Sequence, residues 1–180
     1  AYIKSDGIAA VRKASTTNLI PYSEDFSKSD WTKQNTTVES GQNGIYNTTN
    51  AWKLVSLGNN NDKIFDTITN TGLHTASVYV KKGNVNFTAI EYGGFAYFNL
   101  ENGTIGSSGS IINAIIESVG NGWYRCSITL NITSTTNFNI YVIATNGSTN
   151  TTNGDFIYIQ NAQVEQQTQA ETYAKTTGLP

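Results

Sequence analysis

The side chains best placed for recognition chemistry are aromatic rings that strand alternation turns away from an apolar stripe. In "ASVYVKK", Ala76, Val78 and Val80 share one face, and Tyr79 and Lys81 take the other. In "FAYFNL", Tyr97 and Asn99 oppose Phe98 and Leu100, and in "NFNIYVIA" Tyr141 opposes Phe138, Ile140 and Val142. Rings of this kind stack on the apolar faces of pyranose sugars, with amides and charged groups nearby to meet the hydroxyls. Adding Trp52 and Tyr92 gives an expected ligand-binding set of Trp52, Tyr79, Lys81, Tyr92, Tyr97, Asn99 and Tyr141. The competing role for each tyrosine is packing against a loop or a neighbouring subunit.

Chemistry that makes or breaks bonds has less to stand on, and the chain reads as a non-enzyme. His74 is the only histidine and precedes a strand with no acid–nucleophile arrangement around it, as suits a surface or hydrogen-bonding residue. Glycoside hydrolysis needs two facing carboxyls about 5–10 Å apart, and no pair among the 13 acidic residues is identifiable as such. Phosphate-loop, zinc-ligand and nucleophile-elbow patterns are absent. Cys126, the single cysteine, can form no intrachain disulfide, and in "WYRCSITL" it shares a face with Tyr124, Ile128 and Leu130, as a buried apolar residue would. The net charge of −2, without a cluster of Lys or Arg, argues against nucleic acid as a partner. No apolar run reaches the roughly 20 residues of a membrane span, so membrane insertion is not expected.

Those side chains need strands to hold them. Short alternating runs dominate, and "KKGN", "YGG", "ENGT", "GNG", "TNGS" and "TNGD" punctuate them as turns. "DFIYIQNAQVE" places Phe156, Tyr158, Ala162 and Val164 together by parity, with Ile157 and Ile159 opposite. About ten such strands predict an all-β fold, an antiparallel β-sandwich; periodicity also admits a barrel. Residues 146–154 and "SLGNNND" read as solvated loops. The first nine residues, "AYIKSDGIA", closely match the last nine, "TYAKTTGLP". This predicts that residues 1–17 are the tail of a preceding repeat or a linker, that 18–175 form the domain, and that 176–180 begin a linker to a following repeat. Other copies of the domain are therefore expected partners.

The block "NLIPYSEDFSKSDWTK", with Asn18, Leu19, Phe26 and Trp31, resembles the opening of phage tail and head fibre domains of the jelly-roll carbohydrate-binding-module type. "HTASVYVKKG", "FAYFNLENGTIGS", "IESVGNGWYRCSITL" and "IYIQNAQVEQ" resemble later blocks of that group in the same order, and "TYAKTTG" resembles its inter-domain linker. The resemblance covers residues 18–178. It implies a jelly-roll sandwich on a virion surface or otherwise extracellular, recognising a host surface glycan without catalysis. The alternatives it leaves are a structural repeat or decoration domain that binds no sugar, and a carbohydrate-binding module of a secreted polysaccharide-degrading enzyme or adhesin. No cofactor is expected. Related modules hold a structural calcium through acidic residues of the last strand, where this chain has Gln160 and Asn161; Glu24 and Asp25 are the remaining candidate ligands.

Overall fold

The computed structural model describes residues 17–178, preceded by a two-residue pairing of Tyr2–Ile3 with Ala9–Ala10. The expected repeat tail over residues 1–17 otherwise lies outside the described residues, as do Leu179 and Pro180 of the expected linker. Twelve strands build the domain: β1 (Thr32–Gln34), β2 (Thr36–Gln42), β3 (Ala51–Ser56), β4 (Lys63–Ile68), β5 (Gly72–Lys82), β6 (Phe87–Glu91), β7 (Phe95–Asn99), β8 (Thr104–Gly109), β9 (Asn113–Gly120), β10 (Trp123–Ile132), β11 (Thr136–Ile143) and β12 (Phe156–Glu165). They form two six-stranded sheets, in the orders β8-β7-β6-β11-β4-β1 and β9-β10-β5-β12-β3-β2. Every pairing in both is antiparallel. The fold is thus the jelly-roll β-sandwich expected.

Alternation explains how the layers close. Val78, Val80, Cys126, Ile128, Ile157 and Ile159 of the second sheet meet Ile64, Ile90, Phe98, Phe138, Ile140 and Val142 of the first, all buried in one core. Burying each such side chain stabilises the fold by about 1.5–3 kcal/mol. Phe26 and Trp31 join this core from the segment before β1, with ring centroids 4.9 Å apart. Full burial keeps the Cys126 thiol protonated by pushing its pKa up.

One strand departs from simple alternation. The register of β12 against β5 shifts between Gln160 and Gln163, and Asn161 sits in the left-handed region with φ of 51°. This bulge reverses the parity, so Ile157, Ile159, Ala162 and Val164 all reach the core, correcting the split expected from the sequence. It also offers backbone to the opening segment: Ala162 N–H donates to Ser23 O, and Asn18 Nδ2 donates to Ala162 O.

Among the buried polar side chains, His74 and Asp66 enter the core from the two sheets. His74 faces inward, is fully buried, and its Nδ1 lies 2.8 Å from Tyr92 OH. Burial lowers the His74 pKa and raises that of Tyr92, so a neutral pair is favoured. Asp66 also faces inward on β4, opposite Phe138, and one of its oxygens has no hydrogen-bond partner among the described residues. Burial, with a contribution from Asp30, pushes its pKa up from 3.8 to about 6. A raised folded-state pKa means that its stabilising effect is complete below the unfolded value near 4 and is lost as pH rises through about 6. Asp66→Asn is therefore expected to stabilise the domain by about 1–2 kcal/mol at pH 7.5, after allowing for solvent screening, and by nothing at pH 4. Urea midpoints of both proteins at the two pH values check this; a variant equally destabilised at both would refute it.

Candidate functional site

The outer face of the first sheet carries polar and aromatic side chains in register. One row runs Phe65, Asn139, Glu91, Phe95 across β4, β11, β6 and β7, and the next runs Lys63, Tyr141, Ala89, Tyr97 across the same strands. Pleating turns each member to the outer face because its neighbours in sequence, such as Ile64, Ile140 and Ile90, are buried in the core, although Asn139, Ala89, Tyr141 and Tyr97 are themselves largely covered there. Phe95 is 37% exposed and meets Tyr97 edge to face, with ring centroids 6.0 Å apart. Next to it lies a depression of about 420 Å³ that includes Lys63, Glu91, Phe95 and Asn139. A second depression, of about 210 Å³, is bordered by Tyr97, Tyr141 and Thr149, and shares Glu91 and Phe95 with the first.

Hydrogen bonds fix this surface. Lys63 Nζ donates to Tyr141 OH at 3.1 Å, and the same ammonium lies 5.0 Å from the Tyr141 ring centre and 5.6 Å from that of Phe65. Tyr141 OH donates to Glu91 Oε1 at 3.4 Å, and Asn139 Nδ2 donates to the Glu91 carbonyl at 3.0 Å. Asn139 Oδ1 is buried and accepts no hydrogen bond from a described residue. Burial, and second the Glu91 charge, raise the pKa of both Tyr97 and Tyr141, so both phenols stay neutral at ordinary pH. The result is an apolar ring beside neutral hydroxyls, one cation, one anion and an amide. Among the described residues, Glu91 is the only carboxylate lining either depression.

The seven residues expected from sequence do not form one platform. Tyr97, Asn99 and Tyr141 lie on this face, where Asn99 Oδ1 accepts from Glu101 N–H to close a turn. Tyr79 and Lys81 lie on the outer face of the second sheet, across the molecule. Trp52 pairs with Ile159, packs on the edge of the core and donates from Nε1 to Glu24 O. Tyr92 is wholly buried against His74, which takes it out of reach of any surface ligand. Sequence reasoning missed Phe95, Phe65, Lys63 and Glu91; period-two alternation from Tyr97 points to Phe95, whereas the other three join the face only through strand pairing.

The second sheet's outer face has a groove of its own, of about 530 Å³, that includes Tyr46, Tyr79, Arg125, Gln160, Asn161 and Tyr173. Tyr46 is 73% exposed, the Arg125 guanidinium lies 5.4 Å from the Tyr79 ring centre, and Arg125 Nε and Asn161 Oδ1 are buried without partners among the described residues. Glu24 lines this groove and pairs with Lys175 at 2.8 Å, while Asp25, which lines a separate depression with Trp52 and Lys175, accepts from Ser27 N–H. The Ser27 bonds hold the Asp25 carboxyl below its usual pKa.

No family model and no curated protein matches the sequence. Among solved structures, the chain aligns over 89% of its length with the whole CBM22-1 xylan-binding domain of Xyn10C from Paenibacillus barcinonensis, at 11% identity and a TM-score of 0.50. It also aligns over 88% of its length with the Clostridium thermocellum N-terminal endo-1,4-beta-D-xylanase 10B, whose CBM22-1 and GH10 modules were solved with xylohexaose, at 15% identity and a TM-score of 0.49. The chain spans 29% of that protein. The CBM22-2 xylan-binding domain of Xyn10C aligns over 85% of this chain and 99% of its own, at 9% identity and a TM-score of 0.47. The first of these likenesses shows a shared sandwich fold.

Proposed function

We propose that this chain is a non-catalytic glycan-binding module, and that the outer face of its first sheet takes a polysaccharide. The observation that carries this reading is the exposed Phe95 ring beside Tyr97, at the edge of a depression whose other groups both donate and accept hydrogen bonds. A pyranose laid on Phe95 would direct its hydroxyls to Glu91, Asn139 and Lys63. The Asn139 amide lines this depression, and a sugar hydroxyl would meet its Oδ1, which has no partner among the described residues, only after a small side-chain rotation, because that atom is buried. The reading of binding without bond cleavage is supported by the lone Glu91 carboxylate among the described residues lining these depressions. The fold shared with a xylan-binding domain makes xylan the first polysaccharide to test, and it favours a module of a secreted polysaccharide-active protein. Attachment to a virion fibre rests on the sequence blocks alone.

A second reading puts the sugar under Tyr46, because that ring is exposed and two buried polar atoms beside it lack partners. Titration calorimetry with soluble xylan, other plant polysaccharides and bacterial envelope glycans separates the two. Phe95→Ala is expected to weaken binding about tenfold or more, corresponding to roughly 1.4 kcal/mol of lost stacking, and Tyr46→Ala less than about twofold. The reverse pattern would move the site to the second sheet. A folded protein that bound none of these glycans would leave a structural repeat as the better reading.

A further inference from the structure

The C-terminal segment is held by a small seat formed by residues 20–24, and four of its residues do the recognising. Tyr173 OH lies 2.6 Å from Ser23 Oγ and donates to Glu24 Oε1 at 3.3 Å. Lys175 Nζ pairs with Glu24 at 2.8 Å. Thr176 Oγ1 donates to Ile20 O and accepts from Ser23 N–H, while Thr176 N–H donates to Ser23 Oγ. Gly178 donates its N–H to Pro21 O with φ of 141°, a conformation that side chains rarely adopt. The two residues between them are bound through backbone. Ala174 gives its N–H to Gln163 Oε1 and its carbonyl to Asn18 Nδ2, and Thr177, itself exposed, makes a backbone bridge to Tyr22.

The N-terminal sequence repeats the recognising positions and varies the others. Tyr2, Lys4, Ser5 and Gly7 stand for Tyr173, Lys175, Thr176 and Gly178, with the hydroxyl kept in the Thr-to-Ser change. Ile3 and Asp6 replace Ala174 and Thr177, two positions held through main-chain atoms that any side chain leaves free. Gly7 keeps the one main-chain contact that needs glycine, because Gly178 has a φ of 141°, and a chance likeness would have no reason to keep the side-chain contacts and this glycine while varying the rest.

We propose that residues 2–7 are a second strap of the same specificity, and that its seat is the 20–24 stretch of a second copy of this domain placed ahead of it. The strap that closes one domain then begins the next, and neighbouring copies are tied by an ion pair, a phenol and a hydroxyl. Whatever the first sheet binds, this inference stands apart from it.

The test is a tandem in which Glu171 of one copy runs directly into Ala1 of the next, so that residues 2–7 replace the upstream copy's own strap. The reference is the single chain carrying Tyr173→Ala, Lys175→Ala and Thr176→Ala, expected to melt about 6–12 °C below the parent. The tandem is expected to melt as one transition within about 2 °C of the parent. Tyr2→Ala, Lys4→Ala and Ser5→Ala at its junction should split off an upstream transition at the reference temperature. If the tandem fails to fold, Ala174→Ile, Thr176→Ser and Thr177→Asp in the single chain read the same specificity by leaving its melting unchanged. An upstream copy, or a grafted single chain, that melted as low as the alanine reference would overturn the proposal, and so would a reference that melted with the parent.

Discussion

Replacing Asp62 with alanine is expected to destabilise the domain by about 3–4 kcal/mol, with the unfolding slope unchanged. This carboxylate is fully buried, although it sits at the end of a stretch that reads in sequence as an ordinary polar loop. Its Oδ2 accepts from Gly58 N–H at 2.9 Å, Asn59 N–H at 3.3 Å and Thr151 Oγ1 at 3.1 Å, and also from the Ser56 hydroxyl. One oxygen therefore ties the loop after β3 to the loop before β12. Alanine would remove the acceptor of all four donors at once, leaving Gly58 N–H only Ser56 Oγ and the Ser56 hydroxyl only Thr152 O, and hydrogen bonds to a charged acceptor are stronger than neutral ones. Asp62→Asn keeps an acceptor oxygen and should cost about 1 kcal/mol. Urea denaturation measures both, and limited proteolysis should find new cleavage at residues 57–61 and 146–154 in the alanine protein. Thr149, in the second of these loops, borders the Tyr97–Tyr141 depression, so the same change should also weaken glycan binding. A cost below about 1 kcal/mol would mean that water replaces these donors' partner without penalty.

Asp62 also illustrates where the sequence stops being legible. Alternation fixes which side of a strand a residue occupies, and it does so correctly along β5, β10 and β11: Val78, Cys126 and Ile140 are core, while Tyr79, Arg125 and Tyr141 face outward. It carries no information about which of two sheets the strand joins. That is why Tyr79 and Tyr141, equivalent by parity, end on opposite sides of the molecule. Nor does it foresee an inserted residue. Asn161 adopts a left-handed conformation, and from there the inward stripe of β12 changes phase. Tyr92 fails for another reason. It continues the inward parity of Thr88 and Ile90 one residue past β6, and its hydroxyl reaches the buried His74 across 18 positions of sequence, a partner that a ring at a turn does not announce. Phe95 shows the opposite case: a phenylalanine would ordinarily be assigned to the core, and only the neighbours of its strand, among them Gly109 under its ring, show that more than a third of it stays exposed.

Trp31→Ala should have the largest effect on stability, about 4–5 kcal/mol, equivalent to a melting temperature lower by roughly 10–15 °C. Trp31 is 1% exposed and lies beside Phe26, with Phe138 of β11 at 6.3 Å between ring centroids. The residue stands just before β1, and the rings it joins come from the opening segment and the first sheet. Removing the indole leaves a cavity that these rings cannot close without moving strands. It also removes the donor to Tyr22 O, held at 2.8 Å by Nε1. Tyr22 bridges to Thr177, so the C-terminal strap should loosen along with the core. Trp31→Phe keeps most of the volume while losing the hydrogen bond, and about 2 kcal/mol is expected for it. Trp123→Ala provides the internal comparison. Trp123 is equally buried, but it packs with Ile45, Ala51 and Tyr79 in a small cluster on the outer side of the second sheet. Neighbours there are fewer and can relax toward solvent, so its cost should be about 2–3 kcal/mol. Equal losses at the two tryptophans would show that the small outer cluster supports the sandwich as strongly as the interior does.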